Sequence, residues 1–348
     1  MVRRLVPHEL GIPIGIASLG LRLFPDGPVV PRLLGQQLGV RQRRPQSTPG
    51  LRLARLVIRH TGNNTVMRVL TAEEWRPRAE AHAAQIDDWS RGHRERRGDR
   101  HPVEDFLWHY YSFRPSHLRR WHPGPGIALL DAPEHAVWPH YVTDAEGTHA
   151  DLRTIGERRR ALAWMRDLLQ RTLQREPRFA CFALHEWAMV YGLEQHQVRH
   201  EQAPLRLAPQ RIREVVEAAT LRCSHFDAFR FYTPAAVPRN ELQPTRETQI
   251  DLEQPGCLHA NMDLYKWCYK AAPFVSSDLT RDAFALAREI RLLDVQASPY
   301  DLSAWGTPSL DVETADGRAE FVARQRAFTS RANALRVRLI AELDAALA

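Results

Sequence analysis

Two imidazoles and two carboxylates fall within nine residues at His101-Pro-Val-Glu104-Asp105-Phe-Leu-Trp-His109. Pro102 suits the first turn of a helix, where its missing N–H costs nothing. A helix continuing from there sets His101, Asp105 and His109 at i, i+4 and i+8 on one face, with Glu104 beside them. Phe106, Leu107, Trp108, Tyr110 and Tyr111 occupy the other positions and favour burial. Imidazoles and carboxylates in an apolar setting need partners, either a metal ion or a hydrogen-bonded polar seam.

Three later stretches repeat the chemistry. His185-Glu186 interrupts the almost wholly apolar run Phe179–Tyr191, and a buried Glu186 requires an arginine, a metal or a proton. His225-Phe-Asp227 opens a short aromatic segment, Phe226–Tyr232, that reads as a strand and would point both groups the same way. That pair is half of a two-histidine, one-carboxylate iron site. His259 and Asp263 stand at i, i+4 in Leu258-His-Ala-Asn-Met-Asp-Leu-Tyr-Lys-Trp267, on one helical face.

Together the pairs predict one pocket holding a divalent metal, with non-haem iron the expected ion. Its ligand pool is His101, Asp105, His185, Glu186, His225, Asp227, His259 and Asp263, more than one shell can use. Glu104, Tyr111 and Arg230 are the expected catalytic side chains. The expected reaction is oxidation of a small molecule by dioxygen, ahead of metal-assisted hydrolysis. A polar core network and a metal-free acid–base site remain open alternatives. Arg230, Arg239 and Arg246 either clamp an anionic substrate or neutralise Glu186, Asp227 or Glu247 within the fold.

Helices must carry most of these groups. Amphipathic periodicity predicts helices over 71–97, from His101 to before Pro115, and over 151–175, 179–191, 209–221, 258–270, 278–295 and 317–347. The stretch from Trp121 to Gly147 is Pro-rich and reads as irregular. The expected fold is therefore mainly α, a multi-helical globular domain with little strand. Hydrophobic residues at 44% and charged residues at 26% are ordinary globular usage.

The net charge of +7 is unevenly placed. Residues 1–66 hold ten arginines and no lysine against Glu9 and Asp26, whereas the rest of the chain holds 38 basic and 39 acidic residues. A basic arm on a neutral domain argues less for nucleic acid than a basic domain would. Met1-Val-Arg-Arg and the apolar Leu10–Leu23 run resemble the start of a signal peptide, but Glu9 and Pro13 interrupt the pattern. Residues 1–66 thus read as a disordered or non-native basic extension. Met67-Arg-Val-Leu-Thr71-Ala-Glu-Glu74-Trp75 reads as the natural beginning of a catalytic domain over 67–348, Thr71 and Glu74 forming a capping box. No run reaches the length of a membrane span, so no membrane partner is expected. Four cysteines without a CxxC pair fit a reducing cytoplasm.

Five segments resemble a family. His101-Pro-Val-Glu-Asp-Phe-Leu, Arg120-Trp-His-Pro-Gly-Pro-Gly126, His185-Glu-Trp-Ala-Met-Val-Tyr191, His225-Phe-Asp-Ala-Phe-Arg-Phe231 and Gly256-Cys-Leu-His-Ala-Asn-Met-Asp-Leu-Tyr-Lys-Trp267 resemble actinobacterial proteins labelled 3-methyladenine DNA glycosylase. The resemblance covers about residues 67–340. It implies base excision as the alternative function, with DNA as partner and a damaged base flipped into an aromatic pocket beside a carboxylate. Trp121-His-Pro-Gly-Pro-Gly126 followed by Asp144 echoes the spacing of helix–hairpin–helix glycosylases. The ligand chemistry and helical content are also similar to those of haem-oxygenase-like di-iron oxidases, although His101-x-x-Glu104 reverses their usual Glu-x-x-His order.

Overall fold

Thr71 ends an extended entry and starts the first long helix. The computed structural model describes residues 67–96 and 100–348. Helix α1 (Ala72–Glu95) opens with the expected capping box, in which the Thr71 backbone N–H donates to Glu74 Oε2 at 2.9 Å. Residues 1–66, read above as a basic extension, lie outside the described residues.

The fold is mainly α-helical. Its centre is α7 (Leu258–Ala271), flanked by α8 (Ser277–Gln296) and α9 (Ala315–Leu347), all three in mutual contact. Every residue of α7 except Tyr269 and Lys270 is buried. A helix enclosed on all sides must be apolar or supply its own polar partners. His259, Asn261, Asp263 and Lys266 are therefore structural commitments, whatever else they do. Helix α3 (Arg158–Gln174) covers α9 from the other side, and α5 (Pro209–Glu217) packs beside the short α4 (Leu184–Ala188).

Four expectations are corrected by the structure. The helix from His101 is only α2 (Phe106–Tyr110). Before it, the chain turns, because the Asp105 carboxylate accepts the His101 backbone N–H at 3.0 Å while the His101 ring accepts those of Val103 and Glu104 at 3.3 and 3.1 Å. Local side-chain acceptors compete with the helical ladder and win there.

The segment Phe226–Tyr232 is not a strand. It begins with the helical turn α6 (Phe226–Phe229), whose N–H groups close onto the His225 carbonyl at 3.2 and 3.0 Å. The expected helix 179–191 shrinks to α4, since Phe182 and Ala183 take left-handed backbone angles with φ of 45° and 55°. Such angles cost a non-glycine residue about 1 kcal/mol or more. They break the helix just ahead of His185.

The Pro-rich region is a small sheet rather than irregular chain. β1 (Arg68–Leu70) pairs in parallel with β2 (Ile127–Leu129). The hairpin β3 (Tyr141–Asp144) and β4 (Gly147–Ala150) completes the order β1-β2-β4-β3. A satellite core of Leu70, Trp75, Trp121, Leu129 and Ala132 lies beneath it. The turn through Gly124 and Gly126 leads into β2 and not into a helix, and Asp144 Oδ2 lies 3.1 Å from His149 Nε2 within the hairpin. The echo of a helix–hairpin–helix therefore has no structural counterpart here. Among the described residues no helix is long and apolar enough to cross a membrane.

Candidate metal centre

Helix α7 carries histidine and carboxylate toward two adjacent groups. In the first, His259 from α7 meets His185 from α4 and Asp294 from α8. In the second, Asp263 from α7 meets His225 and Asp227 at the start of α6. Within each group, one ligand atom per residue lies within 4.8 Å of the others, and all six residues are buried. The His259 ring sits 4.5 Å from that of His185 and 5.4 Å from that of His225, so the groups are neighbours. These are buried His/Asp groups that could bind a metal ion.

The groups differ in how their charges are met. In the second, Lys266 Nζ donates to Asp263 Oδ2 at 2.6 Å and to Asp227 Oδ2 at 3.2 Å. Arg246 adds two hydrogen bonds to Asp227, at 2.7 and 3.2 Å, and Arg230 Nε lies 3.4 Å away. Tyr111 Oη donates to Asp263 Oδ1 at 2.8 Å. His225 is bracketed by Glu253, 3.2 Å from Nδ1, and Asp263, 3.7 Å from Nε2. Burial raises the Asp227 carboxyl, but Lys266, His225 and Arg246 outweigh it and hold it at about 2. Burial likewise lowers the Lys266 ammonium, yet the two aspartates raise it above its ordinary value.

Both groups keep unbonded ring nitrogens, His225 Nδ1 and Nε2 in the second and His185 Nε2 in the first, but only in the first does a carboxylate oxygen also lack a partner. His185 Nε2 lies 3.0 Å from Asp294 Oδ1, but neither atom makes a hydrogen bond and both are buried. Two such atoms at this separation, off each other's bonding line, have the spacing of adjacent ligands of one cation. Arg291 Nη1 takes the other Asp294 oxygen at 2.9 Å. Cys181 Sγ lies 3.5 Å from His185 Nδ1, the outer nitrogen of that ring. Burial pushes His259 well below its ordinary value, helped by the neighbouring His185, and so favours the neutral imidazole that a metal requires. Burial opposes charge on His185 also, but Asp294 and Cys181 outweigh it and hold the ring well above its ordinary value, so that without a metal His185 faces Asp294 as an imidazolium.

A cavity of about 20 Å³ reaches His185 and His259 past Cys181, Cys223 and Cys257. All four cysteines are free. A separate cleft of about 190 Å³ is lined by His101, Asp105, His109, Glu186 and Arg291.

The predicted residues therefore separate into three places. His185 and His259 share the first group; His225, Asp227 and Asp263 share the second, with Tyr111 and Arg230 against it. His101, Asp105 and Glu186 belong to neither. Asp105 is bound by Arg96 at 3.0 and 2.5 Å, with His93 Nδ1 at 3.1 Å. Glu104 is exposed and pairs with Arg96 at 2.8 Å. Glu186 accepts from Arg291 at 3.1 Å; burial and Asp294 raise its carboxyl against that arginine. Arg246 neutralises Asp227, one of the two roles open to it, whereas Arg239 pairs with Glu217 at 3.3 Å.

Asp294, Glu253, Lys266 and Arg291 were not among the expected site residues. Asp294 had a signal: with Ala283, Ala287 and Ile290 it continues the buried stripe of α8. Its pairing with Arg291 at i, i+3 imitates a surface ion pair. Comparison with protein-family models, curated proteins and solved structures gives no match.

Proposed function

We propose that this protein is a metal-dependent enzyme whose cation is held by His185, His259 and Asp294. Two imidazoles and one carboxylate are the donor set of mononuclear non-haem iron(II) oxygenases, and oxidation of a small molecule by dioxygen is the reaction this set suits best. The observation that carries the reading is the orphaned pair His185 Nε2 and Asp294 Oδ1, buried and 3.0 Å apart. A cation about 2.0–2.2 Å from each would satisfy both.

The residues around the set support it. Arg291 fixes one Asp294 oxygen and leaves the other for a ligand role, and Cys181 stands against the outer nitrogen of His185, where ligating histidines are usually anchored. The 20 Å³ cavity beside both imidazoles has room for one water or diatomic molecule. When bound, iron(II) would supply electrons for dioxygen reduction.

Metal analysis of the purified protein, and of EDTA-treated protein reloaded with Fe(II), Mn(II) or Zn(II), tests the reading. About one equivalent per chain is expected, with at least ten-fold weaker binding in His259→Ala and Asp294→Asn. A wild-type protein that neither carries nor takes up metal overturns it. A second reading has its own observation: Cys181, His185 and Asp294 stand in a row at 3.5 and 3.0 Å, as in thiol nucleophile triads. Rapid alkylation of Cys181 that depends on His185, in protein that binds no metal, would favour that alternative.

A further inference from the structure

Arg291 is more buried than most arginines and only partly used. Its side chain is 10% exposed, and Nη1 alone makes its hydrogen bonds, to Glu186 Oε1 at 3.1 Å and Asp294 Oδ2 at 2.9 Å. The buried Nε has no partner. The guanidinium carbon lies 3.7 Å over the Phe106 ring, so the plane of the fork is held. Nη2 likewise makes no hydrogen bond and, unlike Nε, is not sealed from solvent, so it is the guanidinium donor that a ligand in the cleft can reach.

The same arginine lines the 190 Å³ cleft, whose wall holds no cysteine. Apolar surface from Phe106, Val295, Tyr300 and Leu302 faces this space, and Arg100 and His200 stand in its wall. An apolar cavity of about 150 Å³ accommodates benzene. The two carboxylates in the wall already have cationic partners: Asp105 has Arg96, and Glu186 has Arg291.

We infer that this cleft binds a small organic carboxylate of about benzoate size, its carboxylate on Arg291 Nη2 and its apolar body against Phe106 and Leu302. As an anion site the cleft stands independently of the metal. As the anchor for the substrate it rests on the proposed metal reading, since only the Arg291–Asp294 hydrogen bond separates it from the His185 group. A divalent cation and Arg291 together outweigh Asp294 and Glu186 by one charge, so an anion in the cleft should bind more tightly to the loaded protein, and reciprocally.

Calorimetric titration with benzoate, benzamide and inorganic phosphate, on EDTA-treated and on Fe(II)-loaded full-length protein, tests this. Benzoate should bind at least ten-fold tighter than benzamide, which lacks the charge, and tighter than phosphate, which lacks the apolar body. Arg291→Lys, which keeps the charge and loses the fork, should weaken benzoate at least ten-fold. Should that variant fail to fold, Arg100→Glu decides: Arg100 is exposed, and reversing its charge should weaken benzoate several-fold, most at low salt. Equal affinities for benzoate and benzamide, tighter phosphate than benzoate, no benzoate binding at millimolar concentration, or unchanged affinity in Arg100→Glu would each overturn the proposal. Failure of the metal reading alone would look different, as benzoate binding without retained metal.

Discussion

The two His/Asp groups carried by α7 use the same residue types at the same depth, yet only one has donors enough for all its carboxylate oxygens. Around Asp227 and Asp263 the protein supplies Lys266 and Arg246 directly. Around His185, His259 and Asp294, Arg291 is shared with Glu186 and one Asp294 oxygen faces His185 Nε2 unbonded, whereas His225 leaves its ring nitrogens unbonded but every oxygen of Asp227 and Asp263 is taken. Buried charge must be met by a counter-charge of some kind. Where the chain provides one, the group is a structural lock; where it does not, an external cation has a place. Histidine and aspartate by themselves do not distinguish these outcomes. The lysine does.

Replacing that lysine is the most direct way to break the contrast. Lys266→Met leaves Asp227 and Asp263 partly uncompensated inside the fold, and a loss of roughly 3–5 kcal/mol is expected. Urea denaturation measures it. In protein that still folds, the second group should acquire metal affinity, raising the bound equivalents per chain. Stability and metal content both unchanged would show that Lys266 does not set the groups apart.

Acid should loosen the lock in a defined window. With its carboxyl held at about 2 in the folded state, Asp227 binds fewer protons folded than unfolded. Its contribution is therefore full at neutral pH and is lost as pH falls from about 4 toward 2, amounting to roughly 2 kcal/mol. Denaturation midpoints followed across that window should fall more steeply in wild type than in Asp227→Asn, and parallel curves would contradict the assignment. A smaller effect is expected of Tyr111→Phe, which removes one hydrogen bond to Asp263 Oδ1. About 1–2 kcal/mol of stability should be lost with bound metal unchanged. A fall in metal content would mean that the two groups behave as one site.

How much of this could be read from sequence depended on whether a residue's partner was local. His259 and Asp263 were legible because they stand at i, i+4 between apolar and aromatic residues of α7. His185 was legible because it interrupts the apolar run Phe179–Tyr191. Asp294 was hidden by Arg291 three residues before it, which makes a buried ligand look like half of a surface pair. His101 and Asp105 misled in the opposite direction: their i, i+4 spacing suggests a helix, but the chain turns there and their side chains bind backbone N–H groups and Arg96 instead. The sheet was missed because its strands are three or four residues long, and Arg68 finds its partner only at Ile127.

The near-complete enclosure of α7 has a kinetic consequence. Its backbone amides are shielded by α8 and α9 and by the side chains of both His/Asp groups, leaving no partial opening that would bring them to water. Hydrogen exchange along Leu258–Cys268 should then require the rare unfolding of much of the domain.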